Sequence, residues 1–183
     1  SSLCSKIHRA AGSGILFGAG FIDSPTENLG SIATTGIDVD ANYRLDLSDW
    51  DLGNNSLVFN LQGTSVLTHE AEPLPGAAIY DCVGLYGPTC GVTVGSASPV
   101  ADWRHKFRVT WGTPWDMNFS LAWRRISGTK YEGNDPQPSL NNGVGNTTDA
   151  TIPGYNYFDI AFDWSLTDHI KLTGGINNVG DKD

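Results

Sequence analysis

From Gly36 onward the chain repeatedly alternates bulky apolar residues with polar ones. This period-two pattern marks strands that turn one face to each of two environments. In GIDVDANYRLDL (36–47), Ile37, Val39, Ala41, Tyr43, Leu45 and Leu47 share one face, and Asp38, Asp40, Asn42, Arg44 and Asp46 the other. After the turn SDWDLGNNS, SLVFNLQGTSVLT (56–68) sets Leu57, Phe59, Leu61 and Leu67 against Asn60, Gln62, Thr64 and Thr68. WRHKFRVTWGTPWDMNFSLAWR (103–124) predicts a hairpin about a Gly-Thr-Pro turn. Its first strand opposes Trp103, Phe107, Val109 and Trp111 to Arg104, Lys106, Arg108 and Thr110; its second opposes Trp115, Met117, Phe119, Leu121 and Trp123 to Asp116, Asn118, Ser120 and Arg124. Residues 155–166 put Phe158, Ile160, Phe162, Trp164 and Leu166 opposite Asp159, Asp163 and Ser165, and a turn at Thr167-Asp168-His169 leads into a strand over 170–178. With a less regular strand over 14–22 (GILFGAGFI), about seven strands are predicted.

The connections alternate too. They are short near residue 50, at 112–115 and near 168, and long over 69–100 and 128–154. An antiparallel up-and-down meander with one short-loop end and one long-loop end produces this. Trp50, Trp111, Trp115 and Trp164 lie beside the short turns. A soluble sandwich would bury the apolar face and wet the charged one. Loop asymmetry and tryptophans near one level fit part of a transmembrane β-barrel better, with the apolar face on lipid, aromatic girdles at the interfaces and the polar face on the lumen. Strands of this length match the roughly 9–11 residues that cross a bilayer at a tilt.

Composition narrows the partners. The 183 residues suffice for one domain, and 22 Gly suit a chain of strands and turns. A net charge of -9, with only 11 Lys and Arg, disfavours nucleic acid. No apolar run approaches a membrane-spanning helix, which excludes helical spans alone. The start, SSLCSKIHRAAG, lacks the charged lead and apolar core of a signal peptide, and without an initiator Met it reads as a processed or excised chain.

Cys82 and Cys90 lie in CVGLYGPTC, where a local disulfide is the favoured pairing. A metal pair is the rival, but no Cys or His nearby completes a ligand set. Cys4 is left over for a partner outside this chain. The four histidines (8, 69, 105 and 169) show no ligand spacing, and no nucleophile elbow, phosphate loop or Cys-His pair occurs. No enzyme, cofactor or metal is therefore expected. Asn146-Thr147-Thr148 matches a glycosylation sequon but is too short a match to be informative.

Three segments carry a family resemblance. NLGSIATTGIDVDANYRLDL (28–47) resembles a barrel strand of TonB-dependent outer-membrane receptors. YDCVGLYGPTCG (80–91), followed by Pro99 and Trp103-Arg104-His105, resembles the cysteine-bridged extracellular loop and strand start of one large group of them. YFDIAFDWSLTDHIKLTGGINNVGDKD (157–183) resembles the family's near-terminal hairpin, closing in Asn177-Asn178-Val179-Gly180-Asp181-Lys182 with Gly180 where an aromatic is usual. The resemblance implies that residues 1–183 are the C-terminal part of the barrel, without the plug domain or final strand. It also implies a bacterial outer-membrane location and uptake of a scarce ligand (siderophore, haem, cobalamin or oligosaccharide), energised by TonB through the absent plug.

The site expectations follow. Candidate lumen contacts are Asp38, Asp40, Arg44, Arg104, Lys106, Arg108, Arg124, Asp159 and Asp163; the acids are taken as solvated and salt-bridged rather than catalytic pairs. Candidate extracellular-loop contacts are Tyr80, Tyr86, Tyr131, Glu132, Asn134 and Asp135, with Asn141, Asn142, Asn146 and Asp149 in the same oxygen-rich stretch, where a mobile solvated loop is the simpler reading. Trp103, Trp111, Trp115, Trp123 and Trp164 form the lipid-facing girdle, Trp111 and Trp115 at the short-turn level and Trp103 and Trp123 at the other. The alternatives are a secreted all-β carbohydrate-binding module and a jelly-roll hydrolase. Either would require Phe119, Trp123, Phe158 and Phe162 to pack in an enclosed core.

Overall fold

A computed structural model describes residues 4–16, 20–24, 30–48, 53–93, 99–141, 145 and 147–182. Its strands are β1 (Ile7–His8), β2 (Phe21–Ile22), β3 (Ser31–Asp46), β4 (Ser56–Glu72), β5 (Tyr80–Asp81), β6 (Leu85–Tyr86), β7 (Trp103–Gly112), β8 (Met117–Ile126), β9 (Thr129–Tyr131), β10 (Thr151–Ile152), β11 (Tyr155–Thr167) and β12 (Ile170–Ile176). The long strands form one antiparallel sheet in the order β12-β11-β8-β7-β4-β3, with β5 added beside β4. Chain neighbours are sheet neighbours throughout, as a meander requires. The sheet is open, with β3 and β12 at its edges.

Two expectations change. The strand over 14–22 is not present among the described residues: Phe21–Ile22 pairs with Ile7–His8 in a separate ribbon. GILFGAG sets three apolar residues in a row (Ile15-Leu16-Phe17) and lacks the sustained alternation that holds a long ladder. In turn, β3 begins five residues before Gly36 and β4 runs on to Glu72, past Thr68. A register shift between Thr35 and Gly36 breaks the alternation there, which hides the extension from a period-two reading.

The chain leaves β3, β7 and β11 at one end of the sheet, and β4 and β8 at the other. Each short turn has its own chemistry. In the turn after β7, the Thr113 backbone N–H and hydroxyl both donate to Met117 O, and Asp116 takes φ 54°, which Asp tolerates better than most residues. After β11, Thr167 Oγ1 accepts from the backbone N–H of His169 and Ile170. Beyond β12, Asn178 adopts φ 53°, and its side chain both donates to Lys182 O and accepts from Lys182 N–H.

Burial is inverted relative to a soluble sheet. Along β11 the apolar Phe158, Ile160 and Phe162 are exposed, while Tyr155, Tyr157, Asp159, Ala161 and Asp163 are half-buried. Along β8, Phe119 and Leu121 are exposed while Ser120 is half-buried and Ala122 is buried. A sheet that curves around its polar face crowds those side chains and splays the apolar ones outward. Among the described residues no second layer covers the apolar face. The sandwich and jelly-roll readings call for an enclosed apolar core, whereas Phe119, Phe158 and Phe162 are exposed. The buried cluster instead lies in the long-loop layer: Ala71, Tyr80, Cys82, Leu85, Cys90 and Leu140, with Val100 packed against it.

Candidate functional site

The register arranges the polar face into rows that cross β3, β4, β7, β8 and β11. One row reads Asp38, Thr64, Arg104, Ile126, Tyr155; the next Asp40, Gln62, Lys106, Arg124, Tyr157; the third Asn42, Asn60, Arg108, Ala122, Asp159. Nearer the short turns, Arg44 shares a row with Val58 and Thr110, and Asp163 faces Asn118. All nine expected lumen residues therefore share one face, set there by alternation and register alone.

Their interactions differ. Arg124 grips Asp159 with both ends of its fork (Nε to Oδ2 2.7 Å, Nη2 to Oδ1 2.9 Å) and lies 5.1 Å from the centre of the Tyr157 ring. Asp159 Oδ1 also accepts from the backbone N–H of Asn178 at 2.9 Å, tying the near-terminal turn to the wall. Asp163 pairs with Lys171 at 2.9 Å and accepts from Asn118. Asp38 accepts from Thr64, and Asp40 from Asn42 and Gln62. Asn60 donates to Asn42, completing a chain of amides. Of the ion pairs expected on this face, Arg124–Asp159 forms. The β3 acids are met by β4 side chains rather than by cations, because β4 lies between β3 and β7.

Two hollows indent this face. One of about 340 Å³ is bounded by Thr64, Arg104, Lys106, Arg124 and Tyr157; one of about 190 Å³ is bounded by Asn42, Asn60, Lys106 and Arg108. Gln62 and Lys106 line both. A third hollow, of about 570 Å³, lies among Trp111, Phe119, Leu121, Ile160, Phe162 and Ile176 on the apolar face.

The two long loops are locked together. Cys82 and Cys90 form a disulfide, both fully buried. β6 pairs in parallel with β9, and β9 with β10. Glu132 is only 3% exposed, and its two oxygens accept the backbone N–H groups of Thr89 and Cys90, each at 2.7 Å. Its side chain occupies the space a Cβ at Gly87 would need. Gln137 adds a two-way amide bridge to the Asp81 backbone, 2.8 Å in each direction.

Tyr80 and Glu132 thus point into this layer, whereas Tyr86 and Tyr131 are half-exposed with rings 5.8 Å apart. Asn134 is exposed, and Asp135 caps a turn by accepting from Gln137 N–H. Glu132, Gln137 and the parallel pairing make much of the stretch expected as a solvated loop an ordered layer. Asn142 and Asn146 lie outside the described residues.

The tryptophans fall at two levels, those of β7, β8 and β11 on the apolar face and Trp115 in the turn before β8 rather than on the strand where alternation set it. Trp111, Trp115 and Trp164 lie at the short-turn end and Trp103 and Trp123 toward the loops. The indole N–H of Trp111 donates to Asn55, that of Trp123 to Asn156 and that of Trp103 to His105. Each ring is thus apolar in body and satisfied at its polar tip, which suits a membrane–water interface. Trp103 and Trp111 are eight residues apart on β7, about 26 Å along the strand. A tilt of about 40° reduces this to roughly 20 Å of height, close to the apolar band of outer-membrane barrels. Trp50 lies outside the described residues.

Lys171, Tyr157 and Gln137 were not singled out in the sequence, and Asn178 was named only as part of the near-terminal element, not as a partner of Asp159. Lys171 and Tyr157 carried a signal, since both fall on the polar register. Gln137 carried none until the loops were folded. Cys4 is exposed in a short 3-10 turn and takes no part in the disulfide. Among the described residues no three His, Cys, Asp or Glu side chains converge as a metal set. A family model described as TonB dependent receptor-like, beta-barrel, matches residues 6–179. No curated protein and no solved structure matches the chain.

Proposed function

The chain belongs to the TonB-dependent receptor-like β-barrel family, and from that premise we propose that it forms the C-terminal part of the barrel wall of an outer-membrane receptor that imports a scarce ligand. The family comprises receptors and transporters of the bacterial outer membrane. In this reading the apolar face and its tryptophans meet lipid. The polar face lines the path of the ligand, and the long-loop layer stands at the extracellular mouth. Tyr86, Tyr131, Asn134 and Asp135 are the loop side chains placed to touch an arriving ligand, while Tyr80 and Glu132 hold the layer together. A plug region elsewhere in the polypeptide carries the contact to TonB.

The observation that carries this reading is the inverted burial of β8 and β11, with exposed Phe119, Phe158 and Phe162 opposite a half-enclosed charged face. A soluble protein does not leave so long an apolar face open to water. The test is fractionation of cells expressing the parent gene, with uptake compared between strains with and without TonB. We expect the protein in the outer membrane and uptake that is lost without TonB. Recovery of the protein in the soluble fraction would overturn the reading.

A further inference from the structure

The charges of the polar face are unevenly satisfied. Asp159 is held by Arg124 and the Asn178 backbone, Asp163 by Lys171, and Asp38 and Asp40 by β4 side chains. Arg104, Lys106 and Arg108 have no such partner: among the described residues none of the three makes an ion pair or a side-chain hydrogen bond. Strand spacing explains this. The acids of β3 lie two strands away, about 10 Å across the sheet. Asp159, two strands away on the other side and within the longer-range field of Lys106, is already held by Arg124 and the Asn178 backbone. The three cations follow one another every second residue on β7, about 7 Å apart and about 13 Å from first to last. Arg124 lies directly across from Lys106. Both hollows of the polar face open onto this stripe.

We propose that the β7 stripe is a docking rail for the imported ligand, and that the ligand is an oligoanion bearing two or more carboxylate, phosphate or sulfate groups about 7 Å apart. Guanidinium groups grip such oxyanions through paired N–H donors, and the ammonium of Lys106 serves as a point charge between them. The amides of Asn42, Asn60 and Gln62 flank the stripe and suit a ligand rich in hydroxyls as well as charge. The rest of the chain argues for a selective site. These 183 residues carry a net charge of -9, so three cations on one strand without an ion pair form a local exception that attracts anions. The inference rests on the transport reading and adds the chemical class of the cargo.

The test is calorimetric titration of the full receptor, purified in detergent, with three probes: a trigalacturonate, inositol hexakisphosphate, and maltotriose as a neutral saccharide of matched length. At least one anionic probe is expected to bind more than tenfold tighter than maltotriose. That binding should weaken steadily as salt rises from about 50 to about 500 mM. The two anionic probes distinguish a carboxylate from a phosphate cargo. Lys106→Gln and Arg108→Gln should each weaken it about tenfold, and Lys106→Arg should retain it, with melting temperatures showing that the variants fold.

Equal or tighter binding of maltotriose, no binding of either anion at millimolar concentration, or affinity unmoved by both substitutions would overturn the proposal. So would a fall in melting temperature without a fall in affinity, which would assign the stripe to packing against another protein segment. TonB-dependent uptake of a neutral ligand would sink this inference and leave the transport reading standing. Absence of the protein from the outer membrane would sink the transport reading itself.

Discussion

Glu132 shows how one residue can change role between sequence and fold. It sits in an oxygen-rich stretch, where a carboxylate suggests a ligand contact. In the structure it is buried, and it caps the backbone of the disulfide loop from 42 residues away. Hydrogen bonds to a buried charge are worth about 1.5–3 kcal/mol each. Replacing Glu132 with Gln removes the charge and one acceptor, so the amide protons of Thr89 and Cys90 should lose about tenfold to a hundredfold of their protection in hydrogen exchange. The sheet should be unaffected. Unchanged protection would mean that the disulfide and packing hold the loop without this carboxylate. Closing so short a loop with a disulfide contributes about 2–3 kcal/mol by chain entropy, so the two devices are of similar size.

At the scale of strands, the pairing of β8 with β11 joins both faces to function. Arg124 and Asp159 make a well-formed fork, yet the Arg124 side chain remains 42% exposed. Water screens such a pair, and a double-mutant cycle of Arg124→Ala and Asp159→Ala should give a coupling of about 1 kcal/mol or less. A coupling above about 2 kcal/mol would mean that this part of the wall is dry. The opposite face gives the larger effect. Leu121→Arg should destabilise the receptor in lipid vesicles by about 2–4 kcal/mol, whereas Ser120→Arg, one residue away on the polar face, should cost less than about 1. Denaturant titration of both variants measures this; a larger cost for Ser120→Arg would show that the faces have been assigned the wrong way round, and equal costs would mean that neither face meets lipid.

For the whole molecule, the six long strands make an open wall with β3 and β12 at its edges among the described residues. Exposed edges of this length promote association with other strands, and barrel closure removes them. What orders the described residues apart from the sheet is the loop layer, the only place where a buried cluster forms among them. Disulfide, carboxylate cap, amide bridge and parallel pairing bind residues 81–90 to residues 129–137 there. The two long loops should therefore move as one body at the mouth of the barrel, with Tyr86 and Tyr131 carried together.

Alternation by itself determined the meander, the two faces, the side of each short turn and the residues that line the polar wall. Side-chain direction in a strand has a period of two, and nothing distant can change it. The local spacing of Cys82 and Cys90 favoured their pairing in the same way. Other features required the tertiary structure. The start of β3 was hidden by a register shift, and of the described residues in the strand expected over 14–22 Phe21–Ile22 alone form a strand, paired with Ile7–His8. The burial of Glu132 and Tyr80 depends on contacts between loops far apart in the chain, which no local pattern encodes. Which charges are satisfied was also decided by the fold. A strand records which face a cation occupies, but only the order of strands determines whether an acid lies one strand away, as for Arg124, or two, as for Lys106.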